Sequence, residues 1–375
     1  MRGVVRTCRS KREERTFIPV VKINRRSLLI NLSLIVSSTL FALFVSEIAL
    51  RLIGFEPLYV SPERDRFWKY DALLGWVHEP GQEGIFETPQ FRTSVRINEK
   101  GLRDPEHTYE RQNDRKRILV LGDSFAWGYG VEEAERFSQL LEESLGAEVI
   151  NAGVSGYSTD QELLWYQKEG TKYDTDLVLL VLAGNDVGDN HLQLVSTIYY
   201  KPKFVLKEGE LLPTGLPVPK TSQQGLFIYS LSQRSALAYF LIQRYFEALS
   251  LYSRGKANPE QADLLVSGTE AEKEPFRLTI ALIAEMRKIA QARNAEFMVV
   301  TTDRWWNSPS GKTYKDFIET LRTEGFLVLD VESMPGFDFE AMLIPGDGHW
   351  SQAGHEFVAA KIKDFIESHQ LLAQP

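Results

Sequence analysis

From Arg117 onward the chain repeats one pattern, a short apolar run, a turn, then an amphipathic stretch of helical period. The runs Ile118–Leu121, Glu148–Ile150, Leu177–Leu182, Glu296–Thr301 and Phe326–Val331 are strand-sized, and LVLLVL at 177–182 has no polar face at all. A strand apolar on both faces must be covered on both, the condition of a parallel sheet with helices above and below. Helices are expected over 137–145, 158–168, 275–293, 312–324 and 352–368, the second opened by Ser158 and Gln161 in capping-box spacing. The expected fold is a three-layer α/β/α sandwich on a five-stranded parallel sheet.

Two stretches depart from the repeat. Residues 54–116 are rich in Pro, Gly and turn residues and read as a linker and a small β-rich prelude, with a strand-like piece at Phe91–Ile97. Residues 190–274 interrupt the alternation after the third strand. They contain a hairpin pattern, Phe204–Leu212 turning at Glu208-Gly209, an apolar helix pattern over Ser235–Tyr252, and a polar stretch over Gly255–Lys273. Such an insertion lies near the ligand edge of the sheet. A lid, a glycan-binding flap and a satellite that only packs are all open readings.

The formal net charge of −8 hides an asymmetry. Residues 1–27 hold nine basic and two acidic side chains, a net of +7, which leaves −15 on the remainder. The break falls at Leu28–Ser46, nineteen residues without a charge, which as a helix reach ~28 Å, about one hydrocarbon core. The run reads as a transmembrane anchor over 28–53, with Glu47 and Arg51 paired four apart where it emerges. A cleaved signal peptide normally has a shorter apolar region. The basic flank puts the N-terminus in the cytoplasm and the catalytic region, 117–375, outside it. The one cysteine, Cys8, falls in the basic tail and excludes an intrachain disulfide. The acidic balance argues against a nucleic-acid partner.

The chemistry sits at the expected carboxyl ends of the strands, where open α/β sheets bind ligands. The first strand ends in Gly122-Asp123-Ser124-Phe125, the second in Asn151-Ala152-Gly153-Val154-Ser155-Gly156, and the third in Gly184-Asn185-Asp186. The fifth is followed by Asp347-Gly348-His349-Trp350. This is an inventory for nucleophilic acyl transfer. Ser124 needs a base, and His349 can serve near neutral pH. Asp347 can fix the histidine tautomer and stabilise the imidazolium. The backbone N–H groups of Ser124 and Gly156 and the side-chain amide of Asn185 can stabilise an oxyanion.

These four blocks, GDSF at 122–125, NAGVSGYST at 151–159, GND at 184–186 and DGHW at 347–350, resemble the SGNH (GDSL) hydrolase superfamily over about residues 117–370. The resemblance implies a flavodoxin-like α/β/α fold, a serine esterase on O-acyl substrates, and Gly156 rather than Gly153 as the oxyanion glycine. LGWVHEPG from 74 and INEKGLRD from 97 are similar to what precedes the domain in membrane-anchored bacterial members. Many members space the last pair as Asp-x-x-His. The shorter Asp347-x-His349 followed by Trp resembles polysaccharide O-acetyltransferase relatives, which implies a glycan hydroxyl as an alternative acyl acceptor. A glycan-binding or assembly protein without catalysis is a further alternative on the same fold.

Other residues read more plainly. Trp127, Trp305 and Trp306 follow strand ends and can stack on sugar faces or pack. His355 reads as a surface or capping histidine, and His78, His107, His191 and His369 as solvated. Asp123 and Asp186 are expected to hydrogen-bond backbone, and Arg103-Asp104 to pair with each other. No phosphate loop, dinucleotide glycine pattern or His/Cys cluster is present, so no metal or cofactor is expected. The expected partners are an acylated glycan or small ester and, through the N-terminal helix, a membrane.

Overall fold

A computed structural model of the chain describes residues 25–57, 64–195, 199–245, 276–306 and 313–372. The basic tail before residue 25, Cys8 and the polar stretch 255–273 lie outside the described residues. The chain forms two compact units, 1–56 and 57–375. The first holds helix α1 (Arg25–Leu52), which starts three residues before the uncharged run. Its mean hydropathy is 2.3, and among the described residues it alone is long and apolar enough to cross a membrane. Glu47 and Arg51 pair at 2.7 Å.

The second unit opens with two antiparallel hairpins. Strands β1 (Trp68–Asp71) and β2 (Gly75–His78) form one, β3 (Glu83–Glu87) and β4 (Arg92–Arg96) the other. The repeat follows as β5 (Arg117–Gly122), α2 (Phe137–Leu145), β6 (Glu148–Asn151), α3 (Thr159–Lys168) and β7 (Leu177–Leu182). The insertion supplies β8 (Lys203–Lys207), β9 (Glu210–Thr214) and α4 (Gln223–Arg234). The repeat resumes with α5 (Arg277–Gln291), β10 (Glu296–Thr301), α6 (Tyr314–Thr323), β11 (Leu327–Asp330) and α7 (Gln352–Ser368). The sheet order is β11-β10-β7-β5-β6, all parallel. The chain steps from β5 out to β6 and returns to β7 on the other side, so the β5 and β7 ends flank the topological switch point.

Alternate side chains of one strand serve opposite cores. Val178, Leu180 and Leu182 pack with α3, α5 and α6, and Leu177, Leu179 and Val181 with α2 and α7. All six are fully buried. That is why LVLLVL carries no polar face, each side chain contributing about 1.5–3 kcal/mol. Ser158 and Gln161 form the expected capping box.

The stretch expected as linker and prelude is packed into the second unit. Phe67, Phe86, Val95 and Ile97 enclose Trp127. Arg103 and Asp104 do not pair with each other. The buried Arg103 guanidinium donates to the carbonyls of Trp127 (3.1 Å), Gly128 (2.6 Å) and Val131 (2.7 Å), fastening the prelude to the turn after β5. Asp104 accepts from Arg136 and His107, each at 2.8 Å, and from the Asn151 N–H at 2.9 Å. A buried charge needs hydrogen-bonding partners, and these two find theirs in different groups.

Three histidines expected at the surface are buried. His78 ends β2 with its ring against Trp68 and Trp127, His107 bridges Asp104 and Glu148, and His355 is 1% exposed. His355 stacks on Phe137 with ring planes 7° apart, and its Nδ1 accepts the Phe137 N–H at 3.2 Å. The first turn of α7 packs on the first turn of α2, so a residue that reads as a cap faces inward. His369 is exposed as expected.

The insertion is pinned at its base by Lys201, which forms a wholly buried ion pair with Asp160 of α3. Its ammonium also donates to the carbonyls of Asp189, Leu192 and Pro202. The expected hairpin is β8–β9, with Glu208 (φ 53°) and Gly209 (φ 86°) both left-handed, as a two-residue type I′ turn requires. Helix α4 occupies residues for which no element was expected. The helix expected over 235–252 is present over 236–245, and the rest lies outside the described residues.

Two predictions follow from these buried charges. Lys201→Met leaves Asp160 buried without a cation and destabilises the unit by about 3–5 kcal/mol in urea unfolding; adding Asp160→Asn restores part of that loss. Burial, then the charges of Arg136 and Arg103, push His355 down to about 3. The unfolded chain takes up that proton near pH 6.5 and the folded chain does not, so this residue's contribution is present above pH 6.5 and is lost as pH falls toward 3. His355→Gln therefore flattens the acid limb of stability between pH 6 and 4 relative to wild type, by up to about 1.4 kcal/mol per pH unit.

Candidate active site

Strand β5 ends at Gly122 (φ 152°), where the chain turns into a one-turn helix, Ser124–Trp127. A Cβ at 122 would stand 2.8 Å from the Ala126 Cβ and 2.9 Å from the Val181 carbonyl oxygen, so the turn admits only glycine without displacement. Asp123 caps the helix, its Oδ1 accepting the Phe125 N–H at 2.9 Å. Ser124 is thereby held at the carboxyl edge of the sheet.

The base arrives on the loop before α7. The His349 carbonyl accepts the Ile344 N–H at 2.8 Å, and the Ile344 carbonyl accepts the N–H groups of Asp347 and Gly348 at 3.1 Å. Gly348, at φ 100°, lets Asp347 and His349 face each other across one residue. The Oδ1 of Asp347 is 2.5 Å from His349 Nδ1 and accepts the His349 backbone N–H at 3.1 Å. His349 Nε2 is 2.8 Å from the Ser124 Oγ. The shorter Asp-x-His spacing thus closes a full Asp–His–Ser relay. With Asp347 on Nδ1, the proton belongs there and Nε2 is the acceptor for the serine hydroxyl. Tyr129 stacks on the imidazole at 4.3 Å, with Phe125 at 5.0 Å and Trp305 at 4.7 Å.

Burial alone would raise Asp347, but the hydrogen bonds and charge of His349 hold it below the usual carboxylate range. Asp123 goes the other way. Burial pushes it up to about 6 against the opposing Phe125 N–H and His349. Behind it, burial and mutual repulsion hold Glu162 and Asp186 well above the carboxylate range. Among the described residues no oxygen of those two carboxyls has a hydrogen-bond partner, so Asp186 does not bind backbone as expected.

The two glycines of the second block separate by their N–H groups. Gly153 is jammed against the Ser124–Trp127 helix, and its N–H donates to the Asn151 Oδ1 at 2.9 Å. Gly156 is exposed, at φ 83°, in a turn closed by the Tyr157 N–H on the Val154 carbonyl at 3.1 Å. Its own N–H donates to no group among the described residues. Asn185 is half-buried at the β7 end, one amide hydrogen given to the Asp189 Oδ2 at 2.8 Å and the other left over.

The three tryptophans divide. Trp127 is fully buried in the prelude core, with Arg103 4.5 Å over its ring, and has no face for a ligand. Trp306 packs against Phe276, Phe317 and Tyr314. Trp305 is 46% exposed beside His349. Tyr129 against the imidazole, Asp189 on Asn185 and Trp76 on the Ser155 carbonyl (3.2 Å) belong to the site and were not foreseen; no spacing rule in one sequence links them to it.

The profile of the GDSL-like lipase/acylhydrolase family matches residues 120–201. No curated protein matches the chain. Among solved structures, a Clostridium thermocellum family 3 carbohydrate esterase is similar at 14% identity and a TM-score of 0.37, over 70% of this chain and 100% of that one. A GDSL-like lipase from Bacteroides thetaiotaomicron VPI-5482 follows at 12% and 0.36, over 70% and 93%. A member of the lipolytic protein G-D-S-L family from Veillonella parvula DSM 2008 gives 11% and 0.35, over 66% and 97%. The family profile covers the β5 end through the Asn185 block, and the Asp347–His349 pair, which lies beyond it, closes on Ser124; over these motifs the chain is similar to the GDSL-like lipase/acylhydrolase family.

Proposed function

We propose that this protein is a membrane-anchored serine esterase that removes a small O-acyl group, such as acetyl, from a glycan or small ester outside the cytoplasm. The carrying observation is the relay of 2.5 Å from Asp347 to His349 and 2.8 Å from His349 to Ser124. In this reading His349 Nε2 takes the hydroxyl proton as Ser124 Oγ bonds to the ester carbonyl carbon. The carbonyl oxygen becomes an oxyanion, met by the N–H groups of Ser124 and Gly156 and the remaining Asn185 amide hydrogen. The tetrahedral carbon then expels the alkoxide, which takes the proton from His349. Water attacks the acyl-Ser124 by the same route and releases the acid. Asp347 stays ionised throughout and holds the imidazolium.

The exposed Trp305 face beside His349 supports a ring-bearing substrate, and it favours a glycan hydroxyl in place of water as a second acceptor. The apolar α1 and the +7 tail before it support an anchor with the enzyme outside.

Full-length protein in detergent should hydrolyse a chromogenic acetyl ester and take a fluorophosphonate label, both abolished in Ser124→Ala. Asp347→Asn should lower kcat by about 10⁴-fold, with the histidine freed to the wrong tautomer. Equal rates in wild type and Ser124→Ala would overturn the esterase reading, and glycan binding surviving Ser124→Ala would then favour a binding protein. Faster acyl transfer to an added polysaccharide than to water would make it a transferase. A reporter fused after Pro375 should be active outside the cytoplasm.

A further inference from the structure

The oxyanion glycine sits in a turn that can present its N–H in two opposite directions. Val154 to Tyr157 is a four-residue turn closed by the Tyr157 N–H on the Val154 carbonyl, and φ 83° at Gly156 marks type II. Types I and II differ by a rotation of about 180° in the central peptide, here Ser155–Gly156. Glycine at the third position accepts either state. In a planar trans peptide the C=O and N–H point in opposite directions, so whatever holds the Ser155 carbonyl also aims the Gly156 N–H.

That carbonyl is held from outside the sheet domain. The Trp76 indole N–H, 79 residues earlier in the prelude, donates to it at 3.2 Å. The donor is itself fixed. Trp76 is 6% exposed, its own carbonyl accepts the Tyr157 hydroxyl at 2.6 Å, and its ring meets Tyr157 and Tyr199 edge-on at 5.7 and 5.9 Å. One residue before the hairpin strand, the Leu74 carbonyl accepts the Gln161 amide at 2.8 Å, tying the hairpin to α3. None of these contacts touches Ser124, Asp347 or His349.

We propose that Trp76 is a positioning residue for the oxyanion hole: it holds the Ser155–Gly156 peptide in the type II state, so that the Gly156 N–H stays turned away from the prelude and available to the developing oxyanion. This rests on the esterase reading above. The prelude is then part of the catalytic apparatus, although it supplies neither the nucleophile nor its base.

The test is Trp76→Phe, and in parallel β-(3-benzothienyl)alanine at position 76, which keeps the ring shape and lacks only the N–H. In full-length protein acting on the chromogenic acetyl ester, kcat should fall about tenfold, less than the ~10²–10³-fold that loss of an entire oxyanion donor produces, with KM unchanged. Gly156→Ala disfavours the left-handed conformation and should reproduce the effect. Combined with either change at 76, it should add little, because both release the same peptide. Unchanged kcat in the benzothienyl variant, a loss confined to KM, or full additivity with Gly156→Ala would overturn the proposal. Wild type no faster than Ser124→Ala would sink the esterase reading and this proposal with it, whereas an active wild type with an unaffected position 76 would sink this proposal alone.

Discussion

A parallel sheet brings every strand end to one edge, and the rest of this molecule follows from that. Ser124, Gly156 and Asn185 follow β5, β6 and β7, three neighbouring strands, so they converge without any long-range design. The switch point between β5 and β7 opens the crevice there. Of the proposed catalytic groups, Asp347 and His349 must travel, and the loop that carries them is closed on itself by hydrogen bonds between Ile344 and His349. The apolar interior that forces the sheet to be parallel is therefore also what gathers the site.

The edge alone would leave these residues on loose turns. What stiffens them comes from outside the repeat. Arg103 inserts a buried guanidinium among the carbonyls of Trp127, Gly128 and Val131, just past the nucleophile, and Trp76 does the same on the second block with a neutral donor. Lys201 anchors the insertion to α3 beside the third block. Each of these contacts joins a backbone carbonyl or buried carboxylate near the site to a donor far away in sequence. Removing the donor would leave a polar group buried and unpaired, which is why such contacts keep their geometry.

This division explains what could be read from the chain. The strands and helices of the sheet domain were legible to within a residue or two because each is a local pattern: LVLLVL can only be a strand buried on both faces, and Gln352–Ser368 carries its own cap. The four motifs were legible because short turns fix their own chemistry. Trp127, His355 and the Arg103-Asp104 pair were misread for the opposite reason. Whether a tryptophan faces a ligand or a prelude hairpin, and whether a histidine near a helix start faces water or Phe137, depends on packing against segments 30 to 218 positions away. Helix α4 was missed because its sequence, QQGLFIYSLSQR, has no strong apolar stripe and leaves Leu226, Phe227 and Leu231 exposed.

The exterior charge and the interior charge of the enzyme also differ in kind. Outside the basic tail the chain carries a net −15, yet Asp123, Glu162 and Asp186, the carboxyls nearest the nucleophile from behind, are held toward their neutral forms by burial. Burial works against the charged forms of all three, whereas the carboxylate of Asp347 is kept charged by its partner His349. Burial thus sets the three carboxyls behind the nucleophile apart from the one carboxylate whose position the relay requires.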